Sequence, residues 1–361
     1  MSRMRSAFRD KFPRLVALLF SGFIVCASVL ASAVFAVPPA PSTTPVIVDT
    51  DAGVDDLLAL AFLLARNDVR IEAITVVNGV ARVPVGAKNV LALLQLAGRP
   101  EIPVYEGSTT PLTGHVEFPD VWRTPSEQLS GVDLPKAHRH PQTESAVPFL
   151  VRRLADSKHP VRILALGPLT NIAAALRQNP SCAKTIEEIV IMGGAVRVPG
   201  NLGDGGAYKT DNKTAEWNIY ADPLAASIVF GSKAPIRLIP LDATRQVPIH
   251  SDFVASFQNA ADGTLKRFVA QILASDDALI RRGYFYAWDP LAAVALVDPD
   301  VVTVTPLAIR IEMSGNERGR TVEVPGGIPN ARVALTADAS VFRREFLGTL
   351  SAAKSPPEDK P

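Results

Sequence analysis

The chain has 361 residues, 47% of them hydrophobic and 20% charged, with a formal net charge of +1. That balance supplies a large apolar core and excludes the low-hydrophobicity, high-charge composition of disordered chains. No basic tract or aromatic–basic interleaving points to a nucleic-acid partner.

Arg3, Arg5, Arg9, Lys11 and Arg14 against Asp10 make a positive start, followed by the apolar run from Leu15 to Leu30 and the small-residue stretch "ASAVFAVPPAP". This order predicts a signal peptide over residues 1–36, a linker over 37–44 and an exported protein, periplasmic or secreted. An uncleaved anchor is the alternative, since Leu15 to Ala36 is just long enough to span a bilayer. Cleavage would leave a net charge of −3, no stable membrane association and Cys182 as the remaining cysteine, read as structural.

From residue 45 to about 240, strand-like apolar runs alternate with helical ones. Strands are expected at Val46–Val48, Ile71–Val77, Ile102–Val104, Val161–Ala165, Glu188–Met192 and Ile236–Ile239. Helices are expected at Asp55–Ala65, around Lys88–Ala97, and at Ala146–Ala155, Leu169–Gln178 and Pro223–Phe230, with a long polar loop before the third. The later part predicts a long helix from Asp252 to Leu279, a helix Pro290–Leu296, strand-like "VVTVTPLAIRIE" and a closing helix Val341–Ala352. This is the pattern of an α/β fold: one domain over 45–352, a mostly parallel central sheet with helices on both faces, and a disordered tail over 353–361.

The first strand runs into "DTDAGVDD", which gathers Asp49, Asp51, Asp55 and Asp56 where a strand exits and a helix begins. Ligands of open α/β sheets bind outside the carboxyl ends of the strands. A helix N-terminus favours each carboxylate there by roughly 0.3–1 kcal/mol. Two carboxylates ~4 Å apart at an effective dielectric of about 20 repel by roughly 4 kcal/mol, so capping alone does not offset the crowding. A divalent cation would, and oxygen ligands point to Ca²⁺ or Mg²⁺. A helix-capping pair beside a chance Asp-x-Asp is the competing reading. Leu60 stands where an EF-hand would need Glu, and no later Lys with a second acidic pair supports an aspartyl-phosphate phosphatase.

With "LALGPLTNIAAAL" (164–176), "IVIMGGAVRVPGN" (189–201), "AEWNIYADPLAA" (215–226) and "YAWDPLAAVAL" (286–296), this motif resembles, in order, the calcium-dependent nucleoside hydrolases. The resemblance covers residues 45 to about 300 and implies that family's Rossmann-like fold, Ca²⁺ dependence and cleavage of the N-glycosidic bond of ribonucleosides. It implies Ca²⁺ ligation by Asp51, Asp56, Asp289 and the Leu166 carbonyl, with Asp51 taking a proton from a water. It implies ribose contacts from Asp55, Asn78, Asn201, Glu216, Asn218 and Asp289, with Asp49 supporting the ligands. Trp288 stands where many members have His, and with Trp122 in the long loop it resembles the purine-specific branch, whose tryptophans sandwich the base. Trp217 is expected to pack behind the sugar site, and Tyr284 and Tyr286 are candidates for its mouth. His115, in the polar loop, is a weaker candidate for an acid. The segment between Asn201 and Glu216 is longer than in purine-specific relatives. Relatives form homodimers or homotetramers, so a homo-oligomer is expected. Cleavage of another N-riboside, or nucleoside capture without hydrolysis, are the alternatives.

Overall fold

The apolar run Val46–Thr50 forms β1, and its two-residue period sends Val46 and Val48 to one face of a sheet and Ile47 to the other. The structure, a computed structural model, describes residues 44–114, 116–156, 158–257 and 263–353. The predicted signal peptide, the linker up to residue 43, the tail from 354 and His115 lie outside them. After β1 come α1 (Val54–Leu64), β2 (Ile71–Val76), α2 (Val83–Leu96), β3 (Val104–Glu106), α3 (Asp120–Gln128) and α4 (Ala146–Leu154). The chain continues through β4 (Val161–Ala165), α5 (Thr170–Gln178), β5 (Ile186–Met192), α6 (Trp217–Ala221), α7 (Pro223–Phe230) and β6 (Ile236–Ile239). Four further helices follow: α8 (Leu241–Thr244), α9 (Ser251–Ala255), α10 (Thr264–Ser275) and α11 (Asp277–Arg281). The last elements are α12 (Trp288–Val297), β7 (Val302–Leu307), β8 (Ile309–Ile311), β9 (Thr321–Glu323), β10 (Ala331–Ala337) and α13 (Ala339–Ala352).

The main sheet has the order β3-β2-β1-β4-β5-β6-β10-β7. All neighbours pair in parallel except β10 and β7. The chain winds outward from β1 through β2 to β3, then returns to place β4 on β1's other side. The order therefore reverses between β1 and β4, which opens a crevice at their carboxyl ends. One face is covered by α1, α2, α10, α12 and α13, and the other by α4, α5 and α7. This is the expected α/β fold with a mostly parallel sheet and helices on both faces.

On the first face a phenylalanine cluster carries α13. Phe346 stacks on Phe62 of α1 with centroids 5.5 Å apart and on Phe342 at 5.4 Å, and it is 1% exposed. Cys182 is buried, as expected of a structural residue. No helix among the described residues is long and apolar enough to cross a membrane.

Three expectations change. The polar loop contains α3, in which Pro125 is accommodated inside the helix; its Arg123 side chain is buried and makes the helix part of the site. The single helix expected from Asp252 to Leu279 is interrupted: α10 starts after Gly263, at φ 114°, and ends at Asp276, whose φ of −101° and ψ of 12° lie outside the helix. "VVTVTPLAIRIE" divides at Ala308, because β8 leaves the main sheet to pair with β9. β10 then fills the place between β6 and β7.

Replacing Phe346 by Ala should destabilise the fold by about 3–5 kcal/mol, because the cavity left by a buried ring collapses only partly. Chemical denaturation measures this, and a loss below about 1 kcal/mol would show that α13 is not part of the core.

Candidate active site

Where β1 ends, the backbone turns sharply. Ala52 is fully buried at φ 55°, a left-handed conformation that costs a residue with a Cβ about 1–3 kcal/mol. The turn delivers Asp51 past the strand end and Asp55 and Asp56 onto the first turn of α1. Asp56 folds back: its Oδ2 accepts from the Gly53 amide at 3.1 Å, its Oδ1 from the Asp51 amide at 3.2 Å and from the Thr50 hydroxyl. The carboxylate is thereby fixed by the loop that precedes it.

Asp51 Oδ2 accepts from the Val80 amide at 2.9 Å. A Cβ on Gly79 would lie 1.9 Å from that same oxygen, so only glycine lets the β2–α2 turn come this close. Arg123 of α3 pins the turn from behind, donating to the carbonyls of Gly79 at 2.9 Å and Val80 at 3.2 Å while pairing with Glu117. Asp289 arrives from the other end of the chain, on the first turn of α12, which packs beside α1. Asp55, Asp56 and Asp289 each bring an oxygen within 4.8 Å of the others.

Burial drives the electrostatics. It pushes Asp55 up to about 8, with the neighbouring Asp56 adding to the shift. Burial also holds Asp51 and Asp289 well above the ordinary carboxylate range, again reinforced by Asp56. Asp289 Oδ1 is buried with no hydrogen-bond partner. The carboxylates of Asp55 and Asp56 lie beside it, the charge of Asp51 pushes it further up, and Leu166 at the end of β4 lines the same cavity, so the candidate donors are oxygens. Such a set fits a hard divalent cation and would be unstable as an empty group of charges.

The residues expected to contact the sugar hold one another in place. Glu216 caps α6: its Oε1 accepts from the Asn218 amide at 2.9 Å, and its Oε2 from Gly194 at 2.8 Å and Ile219 at 3.2 Å. The Asn218 amide group donates to the carbonyls of Leu166 at 2.8 Å and Met192 at 3.2 Å, tying α6 to the ends of β4 and β5. Asn201 Oδ1 accepts from the Trp217 amide at 3.1 Å. Asp49 does not line the cavity. Its Oδ1 accepts from Asn171 at 2.8 Å and from Thr75, and burial raises it to about 7.

One cavity, with an empty volume of about 1020 Å³ counting the part open to solvent, is lined by all but one of the expected site residues. They are Asp51, Asp55, Asp56, Leu166, Asn201, Glu216, Asn218 and Asp289, with Trp122 and Trp288. Asn78, half-buried in the turn after β2, is not among its lining residues. Trp217 is buried against Trp122, 5.2 Å away edge-on, and also reaches the cavity wall. Tyr284 lines the cavity at 43% exposure, whereas Tyr286 does not line it. Asp204 and Gly205 of the long segment before Glu216 also reach the lining, and Tyr208 of that segment packs on Trp217.

Sequence reading missed Thr50, Asn171, Arg123 and Asp276. The hydrogen bonds of the first three reach residues on other elements or back across the turn, which no local pattern announces. Asp276 falls inside the helix expected from Asp252 to Leu279, although a Ser-Asp-Asp run is also a helix-break signal.

Residues 46–344 match the family model described as "Inosine-uridine preferring nucleoside hydrolase". Uridine nucleosidase 1 of Arabidopsis thaliana is 33% identical over 285 residues, 76% of this chain and 80% of its own length. Among solved structures, a plant nucleoside hydrolase, PpNRh1, is 32% identical with a TM-score of 0.77, covering 86% of this chain and 99% of its own. A purine-preferring ribonucleoside hydrolase from Gardnerella vaginalis is 30% identical with a TM-score of 0.76 and the same two coverages.

The raised carboxyls set a pH dependence. The folded state keeps protons on Asp49 and Asp55 that the unfolded chain releases above pH 3.8. The unfolded state therefore binds fewer protons through this range, and stability of chelator-treated protein should fall as pH rises from about 4 to 8. A divalent cation should raise the thermal midpoint, most strongly near pH 8. Melts with and without chelator test this, and a midpoint that climbs with pH in the chelated protein would contradict it.

Proposed function

The chain belongs to the inosine-uridine preferring nucleoside hydrolase family, and from that premise we propose that it hydrolyses the N-glycosidic bond of purine ribonucleosides, giving free base and ribose. The observation that carries the purine preference is that Trp122 and Trp288 line the same cavity as the acidic cluster. Two indoles offer a purine a large flat partner on the base side of the bond to be broken. The relatives named above include a uridine nucleosidase as well as a purine-preferring enzyme, so a pyrimidine preference is the competing outcome of the substrate test.

The cation in this reading is Ca²⁺, held by Asp51, Asp56, Asp289 and the Leu166 carbonyl. When bound, it supplies the charge that makes a neighbouring water more acidic and offsets the carboxylates' repulsion. Asp51, oriented by the Val80 amide, accepts the proton of the attacking water. The water oxygen bonds to the anomeric carbon, the carbon–nitrogen bond breaks, its electron pair leaves with the base, and the base takes a proton from solvent. Asp55 and Asp289 hold the ribose hydroxyls nearest that carbon, while Asn201, Glu216 and Asn218 hold the rest of the sugar. Positive charge grows on the sugar as the bond breaks, and a pocket of carboxylates favours that state over the neutral substrate. The same reading includes export directed by residues 1–36 and a homo-oligomeric state.

Purified protein should release hypoxanthine from inosine without added phosphate, at a kcat/KM at least about tenfold above that for uridine. Chelation should abolish turnover, and Asp51→Asn should lower kcat by about 10²–10⁴-fold by removing the proton acceptor. Inosine bound but unconverted would establish a capture protein instead, and faster uridine turnover would establish the pyrimidine preference. Trp288→Ala should cost about tenfold in kcat on inosine, and an unchanged rate would remove the stacking argument.

A further inference from the structure

Among the described residues, three that line the cavity carry a buried polar side-chain atom with no hydrogen-bond partner: Asp289 at Oδ1, Trp217 at Nε1 and Asp276 at Oδ2. The first belongs to the cation site. Asp276 belongs neither to that cluster nor to the sugar-holding set. It is 9% exposed, sits in the break between α10 and α11, and its side chain accepts no bond from the helix it precedes. A carboxylate this buried and this short of partners is costly unless a ligand supplies donors. Leu279, Tyr284, Phe285 and Trp288, from the stretch of chain that follows it, line the same cavity. Asp276 also lies close enough to Asp55 for its charge to push that carboxyl further up. In the hydrolase reading Asp55 holds a ribose hydroxyl near the anomeric carbon, which sets Asp276 on the side of the base.

Resting on the hydrolase reading above, we propose that Asp276 recognises the nucleobase, accepting a hydrogen bond from an N–H on the edge of the ring stacked by Trp288. Bases that present such donors are the 6-aminopurine, the 6-oxopurines with their imino N–H, cytosine with its amino group and uracil with its N3–H. Purine itself, joined to ribose through N9, has none. The aromatic walls stack any flat ring, so the carboxylate gives the pocket a means of telling one ring edge from another. A site built to bond an N–H discriminates strongly against the analogue that lacks it, because its own buried group is then left unpaired.

The test compares wild type, Asp276→Ala and Asp276→Asn on adenosine, guanosine, inosine, cytidine, uridine and purine riboside. The readout is kcat/KM for each donor-bearing nucleoside divided by that for purine riboside. At least one of these ratios should fall about 10- to 100-fold in Asp276→Ala, the worth of one hydrogen bond to a charged acceptor. A purely structural role would lower every substrate together and leave the ratios within about threefold, which would overturn the proposal. Asp276→Asn keeps the size of the side chain and decides the matter if the alanine variant does not fold. If wild type cleaves none of the six, the hydrolase reading falls and this one with it; if it cleaves them and the ratios hold, only the assignment of Asp276 falls.

Discussion

Carboxylates brought within a few ångströms of one another in a poorly hydrated crevice repel, and the fold around this crevice is built to hold them against that repulsion. Asp56 is locked by the amides of Asp51 and Gly53 and by the Thr50 hydroxyl, and Asp51 by the amide of Val80. α1 and α12 both begin at the cluster, so the positive ends of two helices face it. These devices orient the oxygens but do not neutralise them, as the upward shifts of Asp51, Asp55 and Asp289 record. A strained Ala52 backbone and a glycine with no room for a Cβ at position 79 are the backbone's part in the same arrangement.

How far this was legible in the sequence depends on how local the signal is. Val161–Ala165, Pro223–Phe230 and Ile236–Ile239 form over the expected residues because each is a short apolar run with its own punctuation. The motif around Asp51 was legible because the strand end, the turn glycine and the helix start are contiguous. The α3 helix was not, since Pro125 and a polar composition speak for a loop and only the burial of Arg123 against the β2–α2 turn reveals its purpose. Asp276 escaped for the opposite reason: the apolar periodicity on either side of it reads as one helix. Roles that depend on contacts distant in sequence, such as that of Asn171 behind Asp49, have no local signature.

Relatives named for uridine and for purines share the family and align over most of the chain. Base preference must then reside in side chains around a common framework. The side chains proposed for that role here come from irregular or interrupted segments: Trp122 from a helix inside a long loop, and Asp276, Tyr284 and Trp288 from the broken region before and at the start of α12. The acidic cluster, with Glu216 and Asn218, sits instead at strand ends and at the starts of helices anchored to them. Chemistry is fixed by the sheet, and selectivity is left to the parts that can vary without disturbing it.

The cluster draws its members from opposite ends of the folded chain, Asp51 from the first strand and Asp289 from a helix reached only after β6. No early fragment owns a complete set of oxygens. An ion captured there would clasp the opening and closing stretches of the polypeptide together, so occupancy of the crevice would report that assembly is finished.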